Sequence, residues 1–412
     1  MRGRPGSGNL SVVGLQWGDE GKGKVVDYIA GDFDAVARFN GGSNAGHTVV
    51  LGKRKYTFHL VPSGALKEKE LLIGAGVVLD PIVLGEELAQ LPSQTRNRLV
   101  VDGRCTLVSP LEREFDGFLE GLRGSSAIGT TRRGIGPSYA MRALRLALRA
   151  GDLSRGGSLH ELEAFYQKLG IHSDRLDVWA KEARTLLDGM IGDAGAEVMA
   201  VSERGGSVLF EASQGALLDL LHGSYPFVTS SHTLVSYIPA GLGIPPHLAG
   251  EPIGVAKCYT TRVGSGPFPT EIEGPVGEGL RREGNEYGST TGRPRRVGWL
   301  DLVALKYAIR LNGVKKLAIT KLDVLSGINE FKVCVAYDIE GEETANFQRS
   351  LQRLGEAEPV YETPFTMFGA EYSGSMPSQA KKLVEYVEHE LGVDVVLVSY
   401  GEDRTQTREL DR

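Results

Sequence analysis

Short apolar runs alternate with longer amphipathic segments along most of the chain. Apolar runs bounded by turn residues predict buried strands. The predicted strands are residues 10–13, 34–39, 56–60, 71–73, 208–210, 316–319 and 393–398. Apolar residues at helical spacing predict helices, because every third or fourth residue of a helix lies on one face. The predicted helices are residues 25–30, 80–91, 110–122, 138–149, 159–170, 175–201, 299–313 and 377–391.

Two of these helices carry additional signals. Ser109 stands at an N-cap position, with Pro110 at the first helical position and Glu112 at the third, and together they predict a capping box. The segment 138–149 has basic residues at helical spacing, which predict a basic face. These residues are Arg142, Arg145 and Arg149.

A Gly-rich segment, residues 14–24, connects the first predicted strand to the first predicted helix. A strand, a Gly-rich turn and a helix N-terminus form the arrangement in which backbone N–H groups hold phosphate oxygens. The spacing of glycine and lysine in GDEGKGK, residues 18–24, resembles a phosphate-binding loop, although Val25 stands where a Ser or Thr hydroxyl would meet magnesium. Asp19 lies inside the loop, and a carboxylate in an anion site indicates metal binding or proton transfer. The alternative is a solvated turn rich in Gly and Lys.

Polar loops after other predicted strands offer further candidate side chains. Asn44 and His47 lie in a Gly-rich loop at the carboxyl end of a strand, where open α/β sheets place their ligands. Gln214 follows the strand 208–210 and carries an amide that can both donate to and accept from a purine edge. The segment 320–323 ends in an Asp that can accept from N1–H and the exocyclic amine of guanine, a donor pair that adenine lacks.

Three loops combine hydroxyl groups or glycines with basic or rigid residues. The loop 129–137 contains two threonines and two arginines, which can coordinate a phosphate group, and the alternative is a basic surface loop. The loop 261–270 is long enough to close over a ligand. The segment 289–296 concentrates donors for a carboxylate or a phosphate.

Composition narrows the classes of function. Hydrophobic residues make up 41% and charged residues 24% of the 412 residues, as in soluble globular proteins. The 55 glycines exceed average usage and indicate many tight loops near ligands. A net charge of −6 excludes a global basic field for nucleic acid, so the local arginine clusters suit a small anionic ligand. Three scattered cysteines without metal-ligand spacing predict reduced thiols in a cytosolic protein, and no apolar run is long enough to span a membrane.

The loops, considered as a set, resemble those of the adenylosuccinate synthetase family, whose members join aspartate to IMP at the expense of GTP. The resemblance runs from residue 10 to about residue 407 in one colinear order. The stretches that carry it are QWGDEGKGK, GGSNAGHT, AIGTT, RGIGP, QGALLD, TRVGSGPFPTE, TTGR and TKLDVL. It implies an α/β fold with a mostly parallel central sheet, a phosphate-binding loop and peripheral helices. Residues 10–412 would form a single domain, and residues 1–9, which are rich in Gly and Arg and lack an apolar segment, are predicted to be a flexible lead and not a signal peptide.

The resemblance also implies a mechanism. Asp19 would take the N1 proton of IMP, so that the 6-oxygen attacks the γ-phosphate of GTP, and the amine of aspartate would then displace phosphate. His47 would donate to the phosphoryl group, and Lys22 and Gln214 complete the implied catalytic set. Asp19 and the backbone carbonyl of Gly46 would bind Mg2+.

Three groups of residues match the binding sites of the family. The IMP group is Asn44, Ala45, Gly46, Thr130, Thr131, Arg145, Gln214, Thr229 and Arg293. The aspartate group is Val263, Ser289, Thr290, Thr291, Gly292, Arg293 and Arg295. The GTP group is Gly18, Glu20, Gly21, Lys22, Gly23, Lys24, His47, Thr48, Arg295, Lys321, Leu322, Asp323, Ser399, Tyr400 and Gly401. Arg145 matches an arginine that reaches into the IMP site of the neighbouring subunit, which implies a homodimer. We expect a cytoplasmic enzyme that binds neither nucleic acid nor membranes.

The sequence departs from the family pattern beside the nucleotide and amino-acid sites. The departures are Arg132 in place of Gly, His232 in place of Asn, Ser236 and Tyr237 in place of two glycines, Tyr400 in place of Thr, and Pro294 within the arginine run. They leave open a related ligase that acts on dGMP or on a modified purine. Phage enzymes that act on dGMP lose the catalytic Asp, whereas Asp19 is present here. A further alternative is a non-catalytic GTP-binding protein, which would need neither Asp19 nor His47.

Overall fold

The computed structural model describes residues 8–124, 127–153, 157–288, 292–366 and 376–410, so that most of the predicted lead, residues 1–9, lies outside the described residues. In chain order the strands in these ranges are β1 (Leu10–Gly14), β2 (Ala35–Arg38), β3 (His47–Leu51), β4 (Arg54–Phe58), β5 (Glu70–Ile73), β6 (Val78–Leu79), β7 (Leu99–Asp102), β8 (Thr106–Leu107), β9 (Ile191–Gly192), β10 (Val208–Glu211), β11 (Glu251–Lys257), β12 (Thr260–Arg262), β13 (Arg296–Gly298), β14 (Leu300–Asp301), β15 (Lys316–Thr320), β16 (Glu330–Ile339), β17 (Glu342–Thr344), β18 (Glu358–Thr366), β19 (Asp394–Ser399) and β20 (Thr407–Glu409). The α-helices are α1 (Lys22–Ile29), α2 (Pro81–Leu88), α3 (Pro110–Arg123), α4 (Ile135–Leu144), α5 (Gly157–Lys168), α6 (Leu176–Leu187), α7 (Ala194–Glu203), α8 (Ile238–Leu242), α9 (Gly274–Glu283), α10 (Leu302–Asn312), α11 (Phe347–Ser350) and α12 (Ser378–Leu391). No helix in the described ranges has both the length and the apolar character needed to cross a bilayer.

Ten of the described strands form one sheet in the order β20-β19-β15-β11-β1-β10-β2-β5-β7-β9. All neighbouring pairs are parallel except β19 and β20. β1 lies near the middle, where Leu10 is opposite Leu209 of β10 and Glu251 of β11. The predicted α/β fold with a mostly parallel central sheet is therefore confirmed.

Hydrophobic side chains cover both faces of this sheet, because successive residues of a strand point to opposite sides. Val12 of β1 lies in one core with Val25 and Val26 of α1, whereas Val13 lies in a second core with Phe210 and with residues of α7, α10 and α12. Burying a side chain of this size contributes about 1.5–3 kcal/mol. The strand that leads into the Gly-rich loop, residues 14–24, is therefore anchored from both sides.

A smaller ribbon lies outside the main sheet. β3 and β4 pair antiparallel, with His47 opposite Phe58, and β3 contacts α1. The predicted strand 56–60 corresponds to β4, which begins and ends two residues earlier. This ribbon places His47 next to the first turn of α1.

The capping box predicted for residues 109–112 is confirmed. Ser109 caps α3 by accepting from the N–H of Leu111, and Glu112 Oε2 accepts from the N–H of Ser109 at 2.8 Å. These bonds satisfy donors that the first turn of a helix otherwise leaves unpaired.

The prediction of one helix over residues 175–201 is wrong. α6 ends at Leu187, and the short strand β9 separates it from α7. Asp188 has a ψ of 128° and so leaves the helical conformation, and Gly189, with a φ of 74°, completes a tight turn in the left-handed region that glycine adopts freely.

The continuous basic face predicted for residues 138–149 is also wrong. α4 ends at Leu144, and Arg145 has a φ of 64° at its C-cap. Arg149 lies beyond the helix and pairs with Asp152 at 2.7 Å, so it does not extend the face.

The patterns do not predict β11, although it pairs with β1 in the middle of the sheet. Its sequence EPIGVAK contains Pro252 and Gly254, residue types that are depleted in strands. Gly254 is needed because a Cβ at this position would lie 2.5 Å from Cδ1 of Leu15. Close packing of the loop after β1 thus hides this strand from pattern analysis.

Candidate active site

The carboxyl ends of the parallel strands border a cleft of about 840 Å³. Loops after β1, β2, β10, β15 and β19 contribute to its wall, through Lys22, Asn44, Gln214, Lys321 and Gly401 respectively. Open α/β sheets bind their ligands at this edge.

Most residues that the family resemblance implicates line this cleft. They are Gly18, Asp19, Gly21, Lys22, Gly23, Lys24, Asn44, Ala45, Gly46, His47, Thr48, Thr130, Thr131, Gln214, Thr229, Val263, Arg295, Lys321, Ser399 and Gly401. The other described residues of the set do not line the cleft. They are Glu20, Arg145, Gly292, Arg293, Leu322, Asp323 and Tyr400. Ser289, Thr290 and Thr291 lie outside the described residues.

The loop between β1 and α1 provides backbone donors for an anion. Gly18, Asp19 and Gly21 have φ angles of 85°, 59° and 91°, so each adopts the left-handed region. α1 begins at Lys22, and no described side chain caps its N-terminus. Its first N–H groups are therefore available to phosphate oxygens, which the positive end of the helix dipole also favours.

Glu20 supports this loop from inside the protein. Its Oε1 accepts hydrogen bonds of 3.0 Å from the N–H groups of Gln16 and Gly18, and its Oε2 pairs with Lys22 Nζ at 2.5 Å. The Glu20 side chain is fully buried and does not reach the cleft. It therefore holds the loop and orients the ammonium of Lys22. Only the backbone atoms of Glu20 are left to contact GTP.

Asp19 stands at the end of a row of alternating charges. Arg295 Nε donates to Asp19 Oδ2 at 2.7 Å, and Arg295 Nη1 donates to Glu286 Oε2 at 2.8 Å. Lys257 Nζ donates to the other oxygen of Glu286 at 2.7 Å. Burial by itself would raise the pKa of Glu286, but the charges of Lys257 and Arg295 lower it to about 2. Glu286 is therefore ionised, and it fixes the guanidinium that holds Asp19.

His47, the first residue of β3, has a buried carboxylate behind it. Its Nδ1 contacts Glu211 Oε1, and Ser63 donates to the same carboxylate from its hydroxyl at 2.5 Å and from its N–H at 2.8 Å. Burial lowers the pKa of His47, and the charge of Glu211 acts in the opposite direction. Because Nδ1 is engaged, Nε2 is the nitrogen that remains for a group in the cleft.

The Cα and Cβ of His47 lie against Gly23, in the first turn of the helix that follows the Gly-rich loop. A Cβ at Gly23 would be 2.7 Å from Cβ of His47, so only glycine allows this approach. The contact brings the imidazole to the same loop that contains Asp19.

Side chains from three separate loops form a chain of hydrogen bonds in the wall. Gln214 Nε2 donates to Asn44 Oδ1 at 3.1 Å, and Asn44 Nδ2 donates to Thr229 Oγ1 at 3.3 Å. Gln214 Oε1 is buried and has no hydrogen-bond partner among the described residues. A buried acceptor without a partner is costly, so this oxygen marks a place for a donor on a ligand.

A carboxylate of α3 holds the loop that contains Thr130 and Thr131. Asp116 accepts from the hydroxyl of Thr130 at 3.2 Å and from the N–H of Gly134 at 2.9 Å. Arg132, where the family pattern has Gly, has a φ of 53°. Glycine would adopt this backbone conformation more readily than arginine does.

The segment after β15 presents a carboxylate beside two lysines. Lys321 has a φ of 66°, and its Nζ donates to the carbonyl of Gly284 at 2.9 Å. Burial raises the pKa of Asp323, while the charges of Lys321 and Lys24 lower it. Asp323 Oδ1 is buried and has no partner among the residues that the structure describes. An unpaired carboxylate oxygen suits the neighbouring N–H donors of guanine.

Sequence reasoning missed the buried partners of the two candidate catalytic groups. Glu211 is 164 positions from His47, and Glu286 and Lys257 belong to none of the motifs. One signal was available for Glu211, because it ends a buried strand and a buried carboxylate requires a partner. Glu286 and Lys257 offered no comparable signal.

Comparisons with known sequences identify the family of this chain. A family model described as adenylosuccinate synthetase matches residues 11–408. The adenylosuccinate synthetase of Moorella thermoacetica is 44% identical, over 96% of this chain and 97% of its own length. That of Myxococcus xanthus is 41% identical, over 97% of this chain and 98% of its own length.

Solved structures lead to the same assignment. Fully ligated adenylosuccinate synthetase from Plasmodium falciparum matches with a TM-score of 0.91 and 34% identity, covering 98% of this chain and 100% of that chain. Succinoaminodeoxyadenylate synthetase of cyanophage S-2L, bound to dGMP and dATP, has a TM-score of 0.66 and 21% identity, covering 98% and 95% of the two chains, a likeness that shows the fold alone. The chain therefore belongs to the adenylosuccinate synthetase family, the ligases that join L-aspartate to IMP at the expense of GTP.

Proposed function

We propose that this chain ligates L-aspartate to IMP through a 6-phosphoryl-IMP intermediate, and that Asp19 and His47 serve its phosphoryl transfer. GTP-dependent ligation of aspartate to IMP is the reaction of the family to which the chain belongs. The observation that carries the residue assignment is that Asp19 and His47 line the same cleft, with His47 against Gly23 of the Asp19 loop. A base and an acid that share one cleft can act on one bound nucleotide.

In the first step, Asp19 accepts the N1 proton of IMP. The 6-oxygen then attacks the γ-phosphorus of GTP, the bond from that phosphorus to the bridging oxygen breaks, and GDP leaves. Arg295 keeps the carboxylate of Asp19 oriented through its 2.7 Å hydrogen bond. Phosphoryl transfer depends mainly on positioning and electrostatic stabilisation, which the loop N–H groups and Lys22 supply.

His47 assists this transfer by donating from Nε2 to the phosphoryl oxygens. Because Nδ1 is bonded to Glu211, donation from Nε2 requires the doubly protonated ring. Burial lowers the pKa of His47, and the carboxylate of Glu211 opposes that effect, so that the charged ring can form while the phosphoryl group is transferred. Glu211 is thus a positioning residue for His47.

In the second step, the amine of L-aspartate attacks C6 of the intermediate. The C6–O bond breaks, inorganic phosphate leaves, and the amine loses a proton. We assign Val263 and Arg295 in the cleft, and Gly292 and Arg293 beside it, to aspartate. Arginine suits the two carboxylates of this substrate because it donates parallel pairs of hydrogen bonds. The residues 289–291, also expected here, lie outside the described residues.

We assign the purine of IMP to the unpaired amide oxygen of Gln214 and to Asn44, and its phosphate to Thr130, Thr131 and Thr229. The orphan oxygen of Gln214 supports the first assignment, because it lacks a donor among the described residues. The hydroxyls of Thr131 and Thr229 support the second, because they can donate to phosphate oxygens, whereas the hydroxyl of Thr130 donates to Asp116 and would have to turn away from it. We assign the base of GTP to Asp323, because its buried Oδ1 also lacks a partner among the described residues, and to the neighbouring Lys321.

Mg2+ is part of the proposal. The carboxylate of Asp19 and the carbonyl of Gly46 border the same cleft, and oxygen ligands suit this ion. Among the described residues no group of three or more His, Cys, Asp or Glu side chains forms a closed metal site. This arrangement fits a magnesium ion that keeps most of its ligands from water and substrate phosphates. When bound, the ion would neutralise charge on those phosphates.

A homodimer is also proposed. Arg145 is exposed at the end of α4, where its left-handed backbone turns the chain away from the helix. Exposed apolar side chains lie on α3 and at the end of α4, and the two helices contact each other. They are Phe118, Leu122 and Leu144, which are 46%, 68% and 53% exposed. Apolar side chains next to an exposed arginine support a surface that a second subunit covers.

We further propose that residues 10–412 act as one domain in the cytoplasm. The match of the family model over residues 11–408 supports the single domain. Cys105, Cys258 and Cys334 are free and buried, as expected of a protein in a reducing compartment.

A substrate panel tests the proposed reaction. With GTP and L-aspartate present, we expect IMP to give adenylosuccinate, GDP and phosphate in equal amounts, and dGMP and modified purine nucleotides to give much less product. Chromatography of the nucleotides measures each product. Ligation of dGMP or of another nucleotide, without ligation of IMP, would replace the proposed substrate.

Asp19→Asn tests the proton acceptor. Turnover should fall by about 10²–10⁴-fold, because the amide cannot accept the N1 proton. GTP should still bind, as measured by calorimetry, and the exposed-site control Asp32→Asn should behave like the wild type. Retained activity in the Asp19 variant would rule out its proposed role.

Glu211→Gln tests the support of His47. We expect kcat to fall on the order of 10²-fold with little change in the KM for IMP, because the neutral amide cannot stabilise the charged imidazole. Steady-state kinetics measure both constants. Ser63→Ala removes another donor to the same carboxylate and should have a smaller effect. Equal kcat values for Glu211→Gln and wild type would contradict the assignment.

Arg145→Leu tests whether active sites are shared between subunits. The variant alone should lose affinity for IMP, and Asp19→Asn alone should be inactive. Co-expression of the two should restore about one quarter of the wild-type activity, since half of randomly formed dimers are hybrids with one intact site. The specific activity of the co-purified mixture measures this complementation, and no recovery would show that Arg145 does not complete a neighbouring site.

A further inference from the structure

Lys24 directs its ammonium to the segment that joins β19 to β20. Its Nζ donates to Ser399 Oγ at 2.8 Å, to the carbonyl of Gly401 at 2.8 Å and to the carbonyl of Gln406 at 3.0 Å. An ammonium has three donor hydrogens, so all of them are engaged. Lys24 is only 7% exposed, and a buried ammonium is stable only when its hydrogens have such acceptors. It therefore has no donor left for a phosphate oxygen.

A second contact joins the same helix to the same segment, residues 399–406, which we call the β19–β20 segment. Arg404 donates to both carboxylate oxygens of Asp27, at 2.5 and 2.6 Å. Asp27 lies three residues after Lys24 on α1, so both side chains belong to one side of the helix. The β19–β20 segment is thus tied at two places to the helix that begins in the phosphate-binding loop.

The β19–β20 segment also contacts the ribbon that begins with His47. The N–H of Arg404 donates to the carbonyl of Val50 at 3.0 Å, and the N–H of Gly52 donates to Asp403 Oδ2 at 2.7 Å. The segment is therefore fixed between α1 and the β3–β4 ribbon.

The acceptors of Lys24 belong to the region assigned to the guanine base. Ser399 and Gly401 line the cleft, and the charge of Lys24 acts on Asp323. Asp323 Oδ1 has no partner among the described residues, which leaves it free for a base. β19, which leads into the β19–β20 segment, contacts the turn Leu322–Leu325 that contains Asp323, so we expect the position of the segment to set the room for a purine beside that oxygen.

We infer that Lys24 is a positioning residue for the guanine base and not a phosphate ligand. It holds the β19–β20 segment at a fixed distance from the phosphate-binding loop, so that the segment and Asp323 enclose the base while the loop holds the phosphates. The inference rests on the proposed GTP site, and it gives Lys24 a task different from the one that its place in the loop motif indicates.

Two inhibitors of a Lys24→Met variant distinguish a role of Lys24 in binding the base from a role in binding the phosphates. Guanosine carries the base without phosphates, and inorganic tripolyphosphate carries phosphates without a base. We expect the Ki of guanosine and the KM for GTP to rise at least about tenfold, which corresponds to about 1.4 kcal/mol. The Ki of tripolyphosphate and the KM for IMP should stay within about twofold, because the acceptors of Lys24 are assigned neither to the phosphates of GTP nor to IMP.

The opposite pattern would overturn the inference. If Lys24 binds phosphate, Lys24→Met weakens tripolyphosphate and leaves guanosine unchanged. Equal weakening of both inhibitors would indicate general disruption of the cleft and would also overturn it. Lys181→Met, an exposed lysine of α6, makes the same change of charge and should leave both inhibition constants unchanged.

Arg404→Gln provides an independent variant, since it breaks the second contact from the surface side. It should reproduce the selective loss of guanosine, and it decides the question if thermal denaturation shows that Lys24→Met does not fold. Selective loss of tripolyphosphate in Arg404→Gln would count against the inference. The wild-type enzyme tests the proposed GTP site separately from the role of Lys24. If guanosine does not compete with GTP in the wild type, the proposed GTP site itself is wrong.

Discussion

A carboxylate buried within the first loop holds this active site in shape. An ionised group removed from water is stable only where hydrogen-bond donors replace the solvent. Glu20 finds these donors in the N–H groups of Gln16 and Gly18 and in the ammonium of Lys22. The requirement to surround one charge fixes the curvature of the loop, and the loop in turn sets where α1 begins. The phosphate site, the His47 ribbon and the β19–β20 segment all take their positions from that helix.

The two candidate catalytic groups share one design, in which each is backed by a charge of the opposite sign. Arg295 lies behind Asp19, and Glu211 lies behind His47. These backing groups are themselves held by buried partners, so they do not need to move when charge develops in the cleft. Fixed charges in a site of low polarity stabilise a transition state without the cost of reorganising solvent. The row from Asp19 to Lys257 thus stabilises the fold and would also serve the proposed chemistry.

The sequence predicts the strands and loops of this site better than it predicts the buried charged residues that hold the site in place. Strands such as β10, β15 and β19 contain continuous apolar runs because both of their faces are buried, and β1 is broken only by the small residue Ser11, so such strands can be recognised in the sequence. β11 is equally central, but Gly254 interrupts its pattern because the loop after β1 passes too close for a side chain. The loops could be recognised because each of them is formed by one short, continuous stretch of sequence. Glu286 and Lys257 could not, since a buried ion pair between distant positions leaves no periodic trace.

The same limits apply to the ends of helices. The capping box at Ser109 was readable because its partners are three residues apart, whereas the break at Gly189 depends on the short strand β9, which joins the edge of the main sheet. Lys24 illustrates the difference for the site: its place in a motif indicates a phosphate contact, but its acceptors come from the far end of the chain.

The contact between Gly23 and His47 has a wider meaning for a protein with 55 glycines. Where two stretches of main chain cross without side chains between them, the separation is set by bond lengths and van der Waals radii and cannot be adjusted by choosing a different rotamer. One added methyl group would separate the imidazole from the loop, with no intermediate solution. The spacing of the reacting groups is thus built into the backbone itself, and the side chains supply charge to a geometry that is already decided.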